Sequence, residues 1–237
     1  SFFTGVTEGN IGSARIIKML NVVDDNLVVD SKGIYSIENY LTSRRLMYWQ
    51  VYLHKTTVGY EKLLVNLLSR AKYLADQGET VFATPALHFF LYNHINKEAF
   101  VDNAEPLQHY KMLDDSDIWA SVKAWTTHRD PILSLLSRNL IDRRIFKVEV
   151  RSTVVEEAEV MDIRHQIAQR YGLSFDDTAY LVNVSTIRKD MYDIHDDHIS
   201  ILYKDGTIKD ITEASEILNI SLLSKKICKY YLCYQRF

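Results

Sequence analysis

The chain lacks several features that would narrow its chemistry at once. Only two cysteines, Cys228 and Cys233, occur in 237 residues. Both fall in an expected C-terminal strand, where odd spacing sends them to opposite faces. This argues against a disulfide between them, and two cysteines do not make a zinc site. Reduced thiols in a cytoplasmic protein are the expectation. Lys and Arg number 28 against 31 Asp and Glu, a formal charge of only −3. Nothing pulls the whole molecule toward nucleic acid or an anionic membrane, so any phosphate site must be local. No apolar run approaches the length needed to span a bilayer, and no secretory signal opens the sequence. Glycine-rich phosphate loops, GxSxG, CxxC and HExxH are all missing. So are internal repeats, low-complexity tracts and long linkers.

What is present is the material of a globular protein, 47% hydrophobic and 25% charged. The length allows one large domain or two small ones. The dominant stretch is a long helix expected over residues 37–77, about 60 Å at 1.5 Å per residue. Ser36 is placed to cap it, and Gly78 to end it. Leu63, Leu67, Ala71 and Leu74 recur at helical spacing and read as core. Thr56, Thr57 and Gly59 weaken the helix, and a slight break is expected there. In its first half Arg44, Tyr48, Val51 and Lys55 fall on one stripe, with Tyr52 at the edge. Guanidinium, rings and ammonium in that order suit a nucleotide: a fork for phosphate oxygens and faces for a base or sugar. A solvated helix face bordered by packed tyrosines is the plainer reading of the same pattern.

Before this helix, a short helix near Ser13 to Leu20 precedes a hairpin or small meander, with turn chemistry at Asp24-Asp25-Asn26 and Ser31-Lys32-Gly33. After it, Thr84-Pro85, Asp114 or Asp115, and Asp130-Pro131 open three further helices. Composition changes near Arg143. Strands are expected at IFKVEV, AYLVNVS, both arms of a hairpin turning at Lys204-Asp205-Gly206, and Ile227 to Tyr234. Helices are expected near Val154 to Tyr171 and Glu213 to Leu218. The order predicts one small sheet with helices on one face. The fold class is therefore α+β: mostly helical over residues 1–142 with a small hairpin, then a small α+β sheet unit over 143–237.

Metal ligands are hard to assemble. His88 and His94 are too far apart on their helix to share an ion. Asp24 and Asp25 read as solvated turn residues. His195-Asp196, within HDDH, lies between expected strands, where adjacent side chains point to opposite faces; only a loop would let them converge. His128-Arg129-Asp130 links two helices and lacks the downstream residues of a kinase catalytic loop.

Several segments in register resemble the HD-domain phosphohydrolases, and most closely the deoxynucleoside triphosphate triphosphohydrolases. They are Ser43-Arg44, then Met47-Tyr48-x-Gln50-Val51-Tyr52-x-His54 with Gly59 and Glu61; Phe3-Thr4-Gly5, like the tail of D-Y-x-x-R-D-x-x-x-T-G; Ile118-Trp119 at a helix start; and Arg143-Arg144-Ile145-Phe146-Lys147, like R-x-L-F-K. The resemblance implies that residues 1–142 are the helical remainder of an HD domain. It implies a parent hydrolysing dNTP to deoxynucleoside plus triphosphate with a divalent metal. The metal ligands, H…HD…D, would precede Ser1, as would the Tyr and Asp of D-Y-x-x-R-D. On this expectation the chain holds no catalytic and no metal-binding residue, needs no cofactor of its own and is inactive alone. Arg44 is expected at the triphosphate and Tyr52 beside the deoxyribose and base. Tyr48 stands where some relatives have a His near the scissile phosphate. Lys55 and Arg143 match cationic positions for activating nucleotides between subunits, so a homo-oligomer is an expected partner. A non-catalytic nucleotide-sensing or subunit-assembly module is the competing expectation.

Overall fold

A computed structural model describes residues 3–189, 198–215 and 227–237. It is a mixed α+β fold, mostly helical, with two small sheets. In chain order, α1 (Ser13–Lys18) leads to β1 (Leu20–Val23) and β2 (Asn26–Asp30). Next come α2 (Ile34–Met47), a π-helical turn (Tyr48–Tyr52) and α3 (Lys55–Asp76). Helices α4 (Pro85–Tyr92), α5 (Ala99–Asp102), α6 (Ala104–Met112), α7 (Asp115–Trp125) and α8 (Pro131–Ile141) follow. The remainder is β3 (Lys147–Arg151), α9 (Glu157–Tyr171), β4 (Val182–Lys189), β5 (Ser200–Leu202), β6 (Ile208–Asp210), α10 (Ile211–Ala214) and β7 (Ile227–Tyr234).

β1 and β2 pair antiparallel with Val23 opposite Asn26, which leaves Asp24 and Asp25 as a two-residue loop. Both have positive φ, 48° and 59°, as a tight hairpin requires and Asp tolerates. β2 also pairs in parallel with β5, Val29 opposite Ile201, and β5 pairs antiparallel with β6. The two sheets run β1-β2-β5-β6 and β3-β7-β4. The strands after residue 143 therefore do not make the single sheet expected of them. The reason is burial: Ile201, fully buried, joins Val29, Ile37, Leu41, Ile211 and Ala214 in one apolar cluster. A pairing between segments so distant leaves no periodic trace in either.

The chain forms two compact units. One is Ser1–Thr57 with Thr186–Tyr230, and the other is Val58–Ser185 with Tyr231–Phe237. In the second, the expected stripe of α3 is core: Leu63, Leu67 and Ala71 have no exposed surface. Trp125, Ile132, Leu133 and Leu136 are buried with them, and the Trp125 ring nitrogen donates to the Phe82 carbonyl at 2.8 Å. α3 stops where glycine permits it. Gly78 has φ 77°, and the Glu79 N–H reaches back to the Leu74 carbonyl at 2.9 Å.

Two expectations about the long helix need correction. Ser36 is not its cap, because α2 already starts at Ile34, after a 3-10 turn over Ser31–Gly33 that Asp30 caps. The break falls at Tyr48–His54 rather than at Thr56–Gly59. Gly59 answers to packing instead: a Cβ there would meet Val148 Cγ2 at 2.9 Å.

One charged group is held deep in the second unit. Arg70 is 7% exposed. It forks onto Asp130, Nε to Oδ1 at 3.1 Å and Nη2 to Oδ2 at 2.6 Å, and Nη1 donates to Asp177 at 2.8 Å. The rings of Tyr73 and Tyr180 lie 5.2 and 5.1 Å from its guanidinium. Asp130 also accepts from the Leu133 N–H at 2.7 Å and so caps α8. Burial pushes the Asp130 carboxyl up, but the Arg70 bonds override it and hold it below its ordinary value.

Removing the guanidinium strands two carboxylates, one of them, Asp130, with a side chain only 10% exposed. Arg70→Ala is expected to cost about 3–5 kcal/mol, read from the urea midpoint. Acid stability has a second source on β3. The Glu149 carboxylate accepts from Arg151 at 2.6 Å and from the Tyr234 hydroxyl at 2.9 Å. These bonds, Arg151 first, lower its pKa from 4.5 to about 2. A depressed carboxylate stabilises the fold above its unfolded pKa and loses that contribution as pH falls through the folded one. The urea midpoint should therefore drop between pH 4.5 and 2, and Glu149→Gln should flatten that limb.

Candidate functional site

The residues singled out in α2 and beyond sit around the widened turn. Its closing bond runs from the Leu53 N–H to the Tyr48 carbonyl at 2.7 Å, five residues back. Such turns insert a residue into the helical ladder and swing the following side chains off the α-helical stripe. The turn is tied off locally. The Val51 carbonyl accepts from the His54 N–H at 3.3 Å and from Thr57 Oγ1 at 2.9 Å. His54 Nδ1 then accepts from the Thr56 N–H at 3.3 Å, opening α3.

Arg44, Tyr48 and Tyr52 come together. The Arg44 guanidinium carbon is 6.0 Å from the Tyr48 ring centre, and the Tyr48 and Tyr52 rings are 5.4 Å apart at 53°. Arg44 and Tyr48 are half-buried, while Tyr52 is 56% exposed. The arrangement offers a fork for an oxyanion and, beside it, tilted aromatic faces for an apolar ring. Lys55 does not continue the stripe. It opens α3 beyond the break and is exposed. Arg143 is exposed and belongs to the other compact unit.

Sequence reasoning missed the contact that backs this turn. Trp49, half-buried, lies under Lys229 Nζ of β7, 4.2 Å from the ring. Nothing in the local pattern of either segment signals the pairing. The adjacent loop bears on the turn as well: its own backbone N–H first, then the side chain of Gln50, hold the Glu8 carboxyl below its ordinary value.

The described residues do not fit a divalent metal. No three His, Cys, Asp or Glu side chains among them are grouped to hold one. His94 pairs with Asp76 at 3.2 Å, where Lys72 also sits, and His88 stacks on Tyr92. His195-Asp196 lies outside the described residues.

Residues 11–80 match the family described as HD associated region. A phosphohydrolase from Bacteroides thetaiotaomicron of known crystal structure is 60% identical, with a TM-score of 0.93, over 100% of this chain and 59% of that one. The uncharacterized protein YwfO of Bacillus subtilis is 30% identical across the whole chain and 53% of its own length. A hypothetical protein from Aquifex aeolicus, 20% identical with a TM-score of 0.61, shares the fold. The chain thus spans between half and three-fifths of the relatives it matches. The HD-associated region runs from just before α1 to just past α3, so Arg44, Tyr48, Tyr52 and Lys55 lie within it and Arg143 outside. No described helix is long and apolar enough to cross a membrane.

The Trp49–Lys229 contact is open to a double-mutant cycle. Trp49→Leu and Lys229→Ala should couple by about 0.5–1 kcal/mol in urea unfolding. Additive effects would mean that the ring and the ammonium do not interact in solution.

Proposed function

We propose that the chain is the C-terminal portion of an HD-type phosphohydrolase that converts dNTP to deoxynucleoside and triphosphate. In this reading Arg44 grips the triphosphate, Tyr48 stands near the scissile phosphate, and Tyr52 packs beside the deoxyribose and base. Metal and catalytic ligands come from the preceding part of the parent, so this chain positions substrate and performs no hydrolysis itself. The observation that carries the reading is the Arg44–Tyr48–Tyr52 constellation, spaced i, i+4, i+8 where α2 runs into the π-turn, inside the HD-associated region. Such turns recur at functional sites.

Lys55 and Arg143 are assigned to an activating nucleotide in a homo-oligomer of the parent. Apolar surface on the first elements supports assembly: Ile17 is 66% exposed, Val22 61% and Leu27 64%. Isolated apolar side chains are ordinary, but three on adjoining elements favour a covering partner.

The test is dNTP titration of the chain by calorimetry. Arg44→Ala should weaken binding by about 10- to 100-fold, the worth of a charge-assisted bond. Unchanged affinity would remove Arg44 from the substrate pocket. Hydrolysis by the parent decides the rest: dNTP binding with no turnover in the complete protein would make this a nucleotide-sensing or subunit-assembly module.

A further inference from the structure

A cavity of 320 Å³ lies between α1, the β1–β2 hairpin, α2 and the segment entering β5. All of its lining residues belong to one compact unit. We propose that it binds an uncharged single-chain amphiphile, a medium-chain alcohol or ester whose aliphatic tail fills the space. The site is separate from the Arg44 constellation and takes neither phosphate nor base. Ile17 and Leu27, at its rim, also belong to the apolar surface invoked for assembly.

Three observations carry it. The first is an unfilled space over a fixed floor. Val29 and Ile37 line the cavity and are themselves part of the buried cluster around Leu41 and Ile201. Above them α1 buries none of its residues: Ile16 is half-buried and Ile17 exposed. The short helix closes one side and leaves the cavity open to solvent. An empty apolar space forfeits the contacts of every group that lines it. Its volume is within the range of small-molecule sites.

The second is the shape of the wall. The hairpin register sets Leu20 opposite Val29 and Val22 opposite Leu27. Directly opposed residues share a face, so one side of the hairpin is a continuous aliphatic track. Leu20, Leu27 and Val29 line the cavity, and the exposed Val22 carries the track outward. Ile16, Ile37 and Ile199 complete the wall, and the lining holds one six-membered ring, that of Tyr40. Such a wall favours a flexible chain over a planar ligand. A methylene takes up about as much room as a water molecule, ~30 Å³, which gives a tail of about ten carbons.

The third is the lack of fixed charge. Among the described residues, no Lys, Arg, Asp or Glu lines the cavity. Its polar side chains are Ser13, Tyr40, His198 and Ser200, groups that hydrogen-bond a hydroxyl or an ester. A charge carried inside would have no partner. Carboxylates stand around the opening instead: Asp210 is 3.6 Å from His198 Nδ1, and the exposed Asp24 and Asp25 form the hairpin tip where the track ends. They disfavour an anionic head and an anionic bilayer alike.

The test is calorimetry of the 237-residue chain with 1-hexanol, 1-octanol and 1-decanol. Affinity should rise about fourfold per added carbon and level off, with 1-dodecanol no tighter than decanol. Decanoate, equal in length but charged, should bind about 10-fold more weakly than decanol. Leu27→Trp, which sets a large ring at the mouth, should abolish saturable binding, and Ile17→Asp should weaken it about 10-fold. Both positions are exposed, so both variants should keep Tm and dNTP affinity unchanged. Decanol affinity independent of protein concentration supports a site within one copy; binding only to an associated form would overturn it. So would a lack of saturation, decanoate tighter than decanol, or capture of the chain by phosphatidylcholine vesicles in place of decanol binding. Decanol binding that the complete parent lacks would make the cavity a seam between its parts and remove the ligand. If decanol fails to bind while Arg44→Ala still weakens dNTP binding, this inference falls and the substrate-pocket reading stands.

Discussion

A single carbonyl, that of Val51, governs how the longest helical stretch of the chain is used. It accepts from the His54 N–H and from the Thr57 hydroxyl, and so closes a turn that has already widened between Tyr48 and Leu53. Had the ladder stayed regular, Arg44, Tyr48, Val51 and Lys55 would have shared one stripe. With it widened, Arg44, Tyr48 and Tyr52 stay neighbours while Lys55 leaves the stripe and starts afresh on α3. The α-helical bonds forgone are replaced by a longer backbone bond and a hydroxyl bond, which keeps the local cost small. Outside support comes from Lys229 over the Trp49 ring.

The arginines divide by what they face. Arg70 is sealed among two carboxylates and two tyrosine rings and serves the fold. Its bidentate geometry suits a buried site, since both acceptor oxygens of Asp130 are satisfied while the same residue caps α8. Arg143, Arg144 and Arg236 face a cleft instead. One of them sits in a left-handed conformation that the neighbouring helix ends give to glycine.

Much of the secondary structure was legible because local chemistry sets it. Asp114 and Asp130 cap the helices they precede, and Pro85 and Pro131 occupy first helical positions. Gly172 ends α9, and β7 spans the expected Ile227 to Tyr234. α6 was not legible. Leu107, Tyr110 and Met112 are exposed, so its apolar residues trace no core stripe, and Pro106 interrupts the helical pattern within it. Of the site, Arg44, Tyr48 and Tyr52 were visible as a family pattern. The turn that parts them from Lys55 was not, because its bonds run outside the α-helical register.

By itself the sequence determined where α4, α7 and α8 start, where α3 and α9 stop, which α3 residues are core and which residue types stand ready for a phosphate. Capping, glycine stops and apolar period act over a few residues, so they can be read in place. Tertiary structure decided the rest: the parallel match of Val29 with Ile201, the Arg70 ion cluster, and the arrival of Arg236 beside Arg143 and Arg144. Each joins segments far apart along the chain. Their energy comes from burial and charge shared across that distance, and neither segment alone carries a record of it.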